Sequence, residues 1–147
     1  MNMTQELDRL RNQFASNPED LNTLSQLESY LLELGDWRGL SVLTAERARG
    51  LDPKQAVELW WETLNKLEQH AEHLESPEAI SRLALTTGQI CEHELEIPED
   101  ALSRYIYACE KDPNNLEALA AARKIYLAHE AWDAALEILR HELLQHS

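Results

Sequence analysis

Apolar residues recur at steps of three and four along almost the whole chain, and this spacing predicts helices. A step of three or four places side chains on one face of a helix, and that face must be buried against a neighbour. Few segments alternate apolar and polar residues, so the sequence predicts an all-α fold. The predicted helices, about eight, span 3–16, 20–34, 37–50, 54–74, 78–95, 99–111, 115–129 and 132–145. In the last of them the apolar positions are Trp132, Ala135, Leu136, Leu139 and Leu143.

Proline and glycine mark the connections between these helices. A polar residue precedes proline at Asn17-Pro18, Asp52-Pro53, Ser76-Pro77 and Asp112-Pro113. Such a side chain can accept a hydrogen bond from a free N–H of the first turn, and proline in that turn loses no bond. We therefore expect a helix to start at each pair. The connections are short, so consecutive helices are predicted to pack antiparallel.

One helix–turn–helix pattern occurs twice. Pro18 and Pro53 enclose a helix, the turn Gly35-Asp36-Trp37 and a second helix, and the same order follows Pro113. The two segments align without gaps over most of their length. The alignment matches Leu24 with Leu119, Leu27 with Ala122 and Trp37 with Trp132.

The repeated unit resembles the tetratricopeptide repeat, a helix–turn–helix of about 34 residues. The strongest stretch is ALSRYIYACEKDPNNLEALAAARKIYLAHEAWDAALEILRHEL. In it Ala101, Tyr105, Ala108 and Pro113 fall at the small, aromatic, small and closing proline positions of the family's second helix. Residues 54–77 depart from the pattern. The resemblance implies an irregular α-solenoid of antiparallel helix hairpins, with 1–147 as a single domain or as the N-terminal part of a longer array.

The resemblance also implies a binding site. Tetratricopeptide stacks line a concave groove with the first helix of each unit and bind a peptide or protein there. Carried over to this chain, the groove would be polar and mildly acidic, without the basic cluster that clamps carboxylates. Its lining would be Asn22, Ser25, Ser29, Gln89, Glu92, Glu117, Ala120, Lys124 and Leu127.

Two further apolar features are candidate interfaces. The closing helix carries apolar residues, including Leu136 and Leu143, over more than one stripe, and no polar helix follows to cover them. We expect this end to self-associate, to pack on a partner or to continue into a longer array; the alternative is ordinary packing with a few exposed leucines. Trp60 and Trp61 are adjacent, so they point about 100° apart. Trp61 is either buried against a second neighbour or a partly exposed interface anchor.

Composition changes this picture mainly through charge. The chain is 44% hydrophobic and carries a formal net charge of −14. That charge repels nucleic acid and anionic membranes and would attract a basic protein surface, although it can equally serve solubility alone. Cys91 and Cys109 are isolated and are expected to be reduced core thiols. Without a signal-like N-terminus or a long apolar run, the expected location is cytoplasmic.

Candidate chemistry is sparse. His70 and His73 share a helix face, but a zinc site needs three or four ligands, and two solvated histidines explain the pair equally. The nucleophile and phosphate-loop motifs GxSxG, GxxxxGK[ST] and GxGxxG do not occur. The favoured hypothesis is a scaffold or adaptor that binds a protein or peptide, is not an enzyme and needs no cofactor. The alternative is a homo-oligomeric structural unit that stacks through its end helices. A metal-dependent enzyme or regulator around the histidine pair is less favoured.

Overall fold

The computed structural model describes residues 2–146 and places eight α-helices in them. No strand occurs within these residues, so the predicted all-α class and helix number are confirmed. A π-helical turn, Ile90–Glu94, continues α5. The α-helices are α1 (Met3–Ser16), α2 (Leu21–Leu34), α3 (Trp37–Ala48), α4 (Pro53–Ala71), α5 (Pro77–Gln89), α6 (Pro98–Lys111), α7 (Leu116–Ala128) and α8 (Trp132–His146).

Two of the four polar-proline pairs start helices as predicted. The Asp52 side chain accepts from the backbone N–H of Gln55 at 2.8 Å, and Pro53 occupies the first turn of α4. Ser76 caps α5 in the same way. Each cap satisfies a first-turn N–H that has no partner within the helix.

The other two pairs were predicted wrongly, because they end helices instead of starting them. Asn17 and Asp112 are the C-terminal caps of α1 and α6, and the prolines after them lie in turns. The next helices begin later, where Asp20 and Asn115 supply the cap. A second capping residue within three positions moved the start, since its side-chain oxygen reaches the first-turn N–H groups.

Side chains of alternate helices contact one another, and we call α2, α4 and α6 the even row and α3, α5 and α7 the odd row. Consecutive helices pack on each other along the chain, and α3 also contacts α5. In the even row, Lys66 of α4 donates to Glu28 of α2 at 3.0 Å, and Arg104 of α6 donates to Glu68 of α4 at 3.0 Å. In the odd row, Asn115 at the start of α7 donates to Ser81 of α5 at 2.8 Å. Most contacts between helices join neighbours in the chain order, as in repeat folds. The solenoid arrangement as such remains a prediction.

The interior comprises two apolar clusters, one in each half. The N-terminal cluster is built on large side chains that include Leu27, Leu31, Trp37, Leu40 and Leu67. In the C-terminal cluster Tyr105 is surrounded by small residues that are fully buried: Ala101, Ala108, Ala118 and Ala122. Small side chains let helix axes approach to the short end of the ~8–10 Å range, which accounts for the close packing of α5, α6 and α7.

Several predicted core positions are exposed. Met3 and Val57 are 54% and 41% exposed. The clearest departure is in α8, where Ala135 is buried but the other four residues of the predicted stripe are exposed, and Ile138, which the predicted stripe did not include, is buried. The helix packs on α7 through a face beside the predicted one. Spacing alone identified the apolar residues of α8, and the position of its neighbour decided which of them are covered.

Candidate functional site

α8 exposes more large apolar side chains than any other helix that the structure describes. Trp132, Leu136, Leu139 and Leu143 are exposed by 61%, 47%, 40% and 62%, and we call these four residues the α8 stripe. Their spacing of four, three and four residues aligns them along one line of the helix. Monomeric proteins rarely expose contiguous apolar surface of more than a few hundred Å² unless it binds something.

The stripe lies beside the packed face of α8, not opposite it. At about 100° of rotation per residue, it is turned by roughly 110° from the face that carries Ala135 and Ile138. On the packed side, Arg123 of α7 donates to Glu142 at 2.6 Å and holds α8 in place. An internal helix of a repeat array packs one such face on the preceding helix and a second on the following one. The α8 stripe is therefore a surface suited to another helix.

The two edges of the stripe differ in charge. One edge carries the exposed residues Asp133 and Arg140, seven positions apart. The other edge carries Ala135 and Glu142, which belong to the packed side. Arg140 donates to Glu137 of the same helix at 3.5 Å, an exposed pair that a docked molecule can replace, whereas the part-buried Glu142 accepts from Arg123 at 2.6 Å.

The residues predicted for the concave groove lie in two different rows. Gln89, Glu92, Glu117, Lys124 and Leu127 lie on α5, its π-helical continuation and α7. Lys124 and Leu127 are exposed there, as a groove would require.

The remaining predicted groove residues, Asn22, Ser25 and Ser29, are on α2 in the even row and are also exposed. Ser25 and Ser29 line a cleft of about 290 Å³ between α1 and α2, whereas Gln89 lines one of about 210 Å³ beside α3 and α4. The extra helix in the middle of the chain shifts the alternation by one, so Ser25 and Ser29 do not share a cleft with Gln89.

Two carboxylates of the predicted groove have partners within the chain. The Tyr105 hydroxyl donates to Glu92 at 2.7 Å, and Arg38 donates to Glu117 at 3.4 Å. Burial of the phenol, and then the Glu92 charge, raise the pKa of Tyr105. The Arg38–Glu117 pair joins side chains near the N-terminal ends of α3 and α7. A peptide in this groove would compete with both contacts.

The π-helical turn positions Glu92 for its bond with Tyr105. The backbone N–H of Leu95 donates to Ile90 at 3.0 Å, which skips one residue relative to an α-helix. Glu96 then adopts a φ of 55° and ends the turn. The sequence analysis missed this feature because apolar spacing through 78–95 continues without interruption.

A larger groove than either of these clefts lies elsewhere and was not predicted. α1 and α3 both pack on α2 and leave a half-open groove of about 820 Å³ between them. Phe14, Leu27 and Val42 contribute apolar surface, and Arg11 and Arg47 lie among the polar lining residues. Arg11 is 3.8 Å from Asp36, and Arg47 is 3.9 Å from Glu28. Both guanidinium groups already pair with an acidic side chain of this chain, so they are not evidence that the groove binds an anion.

Trp61 is partly exposed and not fully buried against a second neighbour, and its role as an interface anchor stays a prediction. Its exposed fraction is 41%, the same as that of Val57, which lies one helical turn before it on α4. Residues four apart on a helix are neighbours, so the two form a small apolar patch. Trp60 is buried in the N-terminal core, as its place in the stripe of α4 predicted.

Within residues 2–146, no cluster of three or more metal-ligating side chains is present, and no helix combines the length and apolar character needed to cross a bilayer. His70 is half-buried, its ring centroid 6.3 Å from that of Trp37, while His73 is exposed. Cys91 is buried, Cys109 is half-buried, and neither forms a disulfide.

No protein-family model, curated protein or solved structure matches this chain. The resemblance to the tetratricopeptide repeat therefore stays a resemblance, carried by the residues quoted above. The candidate site rests on the geometry of the chain itself.

Proposed function

We propose that this chain is a non-catalytic protein-interaction module that docks a helix of another protein on the α8 stripe. The exposure of four large apolar residues in one line is the observation that carries the proposal. Removing such surface from water contributes roughly 25 cal/mol per Å², which is the main driving force of most protein association.

A helix is the favoured ligand because of the spacing of the stripe. Steps of four, three and four follow the 3.5-residue period with which two helices interlock side chains over several turns. An extended peptide has no matching period and would leave its backbone groups without partners on a helix surface. The ligand helix would present its own apolar residues at the same steps.

The rest of the chain serves as a rigid support in this proposal. The net charge of −14 would speed the approach of a basic ligand helix, whereas an acidic ligand has to bind against repulsion. Binding in the concave groove and a cytoplasmic location remain predictions of the same scaffold hypothesis.

The test compares two variants that each place glutamate on an exposed apolar position. The double variant Leu136→Glu/Leu143→Glu places two charges in the stripe, whereas Leu21→Glu changes a leucine that is 72% exposed on α2. Each immobilised protein is incubated with extract from the source cells, and bound proteins are quantified by mass spectrometry. We expect a set of partners retained by the wild type and by Leu21→Glu but lost from the double variant.

Partners retained equally by all three proteins would contradict the assignment of the stripe. Circular dichroism and urea unfolding of each variant provide the fold control. Since both leucines are largely exposed, the double variant is expected to unfold within about 1 kcal/mol of the wild type.

A further inference from the structure

We propose that the helix docked on the α8 stripe is α8 of a second copy of this chain, in antiparallel orientation, so that the chain forms a symmetric dimer. This inference rests on the proposed function, because it names the occupant of the same surface. Three properties of α8 carry it: the symmetry of the stripe, the charges along its edge and the direction of its packed face.

The stripe has the same spacing in both directions. Steps of four, three and four residues read identically from Trp132 to Leu143 and from Leu143 to Trp132. A two-fold axis between Leu136 and Leu139 therefore places Leu136 against Leu139 of the second copy, and Trp132 against Leu143 of the second copy. Such a self-complementary patch is what an isologous dimer requires.

The charged edge selects the antiparallel orientation. In an antiparallel helix pair, like edges meet, so the edge with Asp133 and Arg140 faces its own equivalent. Asp133 then lies within about two residues, or about 3 Å along the axis, of Arg140 of the second copy. The two-fold axis creates this pair twice.

A parallel pair lacks this match. It would bring the charged edge against the edge that carries Ala135 and Glu142, and Glu142 already accepts from Arg123 at 2.6 Å. This lack of a charge match favours the antiparallel form.

The packed face leaves room for the second copy. Because Ala135 and Ile138 are turned by roughly 110° from the stripe, α7 lies to the side of the α8 pair and not between its members. The approach of a second α8 therefore needs no rearrangement of the helices that support it.

The contact is short, so the dimer is expected to be weak. From Trp132 to Leu143 the stripe extends over about 17 Å of helix axis. This places the interface at the small end of specific contacts, and the repulsion of two chains of charge −14 opposes it further. We expect a dissociation constant on the order of 10 μM at about 0.15 M salt.

Sedimentation equilibrium of the purified chain, from about 1 to 500 μM, tests the proposal over that range. We expect reversible dimerisation of the wild type and of Leu21→Glu, and a monomer for Leu136→Glu/Leu143→Glu. Arg140→Glu should lower the association constant about five-fold, because two acidic side chains then face each other at both of the former Asp133–Arg140 pairs. The charge exchange Asp133→Arg/Arg140→Glu should restore it.

The outcomes separate the two proposals. If the wild type stays monomeric at every concentration, the second copy is not the occupant of the stripe. Stripe-dependent capture of a different protein would then still support the proposed function. A dimer that persists in Leu136→Glu/Leu143→Glu overturns the interface. A dimer lost with the leucines but unaffected by Arg140→Glu overturns the antiparallel orientation. The charge variants alter exposed residues only, so they keep the test informative if the double glutamate variant fails to fold.

Discussion

The ring of Tyr105 covers Gly88 so closely that a β-carbon at residue 88 would lie 2.6 Å from the ring atom Cε1. Tyr105 is fully buried on α6, and Gly88 is buried near the end of α5. The hydroxyl of the same ring donates to Glu92 in the π-helical turn. One tyrosine thus joins the close approach of two helices to the irregular turn between them.

Gly88→Ala is expected to destabilise the chain although alanine is the better helix former. The helix propensity of alanine would stabilise by about 1 kcal/mol, but the added methyl overlaps a buried ring that cannot move freely. Overpacking of this kind costs about 1–3 kcal/mol. Urea unfolding should therefore show a net loss.

Gly50→Ala is the matched control for this substitution. A β-carbon there meets nothing within 4 Å. It should leave stability unchanged or raise it slightly, since alanine restricts the unfolded chain. Equal effects at both glycines would show that the ring contact is not limiting.

The Glu28 carboxylate is expected to contribute measurable coupling energy. Its residue is 7% exposed, and Lys66 donates to both of its oxygens at 3.0 and 3.1 Å. A double-mutant cycle with Glu28→Gln and Lys66→Met should give about 1–2 kcal/mol, discounted from fully buried pairs because the lysine side chain is 42% exposed.

The Arg38–Glu117 pair provides the comparison. Its side chains are 69% and 66% exposed, so water competes for both charges. The equivalent cycle with Arg38→Met and Glu117→Gln should give no more than about 0.5 kcal/mol. A coupling energy as large as that of the Glu28–Lys66 pair would contradict the expectation that burial determines the strength of these ion pairs.

Helix capping distinguishes two polar-proline pairs that look alike in sequence. Asp52→Ala should cost about 1 kcal/mol of unfolding free energy, because its side chain accepts from Gln55. Asn17→Ala should cost much less, since the helix after it is capped by Asp20. Urea unfolding of both variants checks the contrast, and an equal loss would show that Asn17 has a role its position does not explain.

The unfolding free energy is expected to fall in alkaline solution partly through Cys109. Burial, and then the charges of Glu110 and Glu142, raise the pKa of this thiol to about 11 from an ordinary value of 9.0. The unfolded chain loses this proton first, so the stabilising contribution is complete below about pH 9 and is lost as the pH rises towards about 11. The difference between the urea midpoints at pH 8 and pH 10.5 should be smaller for Cys109→Ala than for the wild type.

The same measurement contains its own check. Tyr105 and Cys91 also have raised pKa values, so some loss of stability at high pH should persist in Cys109→Ala. An unchanged loss would show that the Cys109 thiol titrates alike in the folded and unfolded chains.

Local patterns in the sequence predicted most of the secondary structure. Helix bounds agree to within a few residues, because apolar spacing and caps act over one or two turns. The two wrong cap assignments were Asn17-Pro18 and Asp112-Pro113, where the residue that caps the helix lies three positions later. Local patterns also identified Trp61 as a candidate exposed anchor.

The candidate site depended on contacts between distant parts of the chain. The groove prediction placed Ser25 with Gln89, but the extra central helix put them in different rows. Because the repeat is interrupted there, the sequence does not show which helices of the two halves lie in the same row. The α8 residues were identified correctly as apolar, yet their exposure followed from where α7 lies.

The sequence by itself determined which residues are apolar, where helices can begin and end, and that the chain is all-helical, since each of these follows from neighbours within a few positions. Only the tertiary structure decided which apolar faces are covered, how Tyr105 meets Gly88 and Glu92, and that the α8 stripe is open. Burial depends on which helices come together in space, and that is a property of the whole chain.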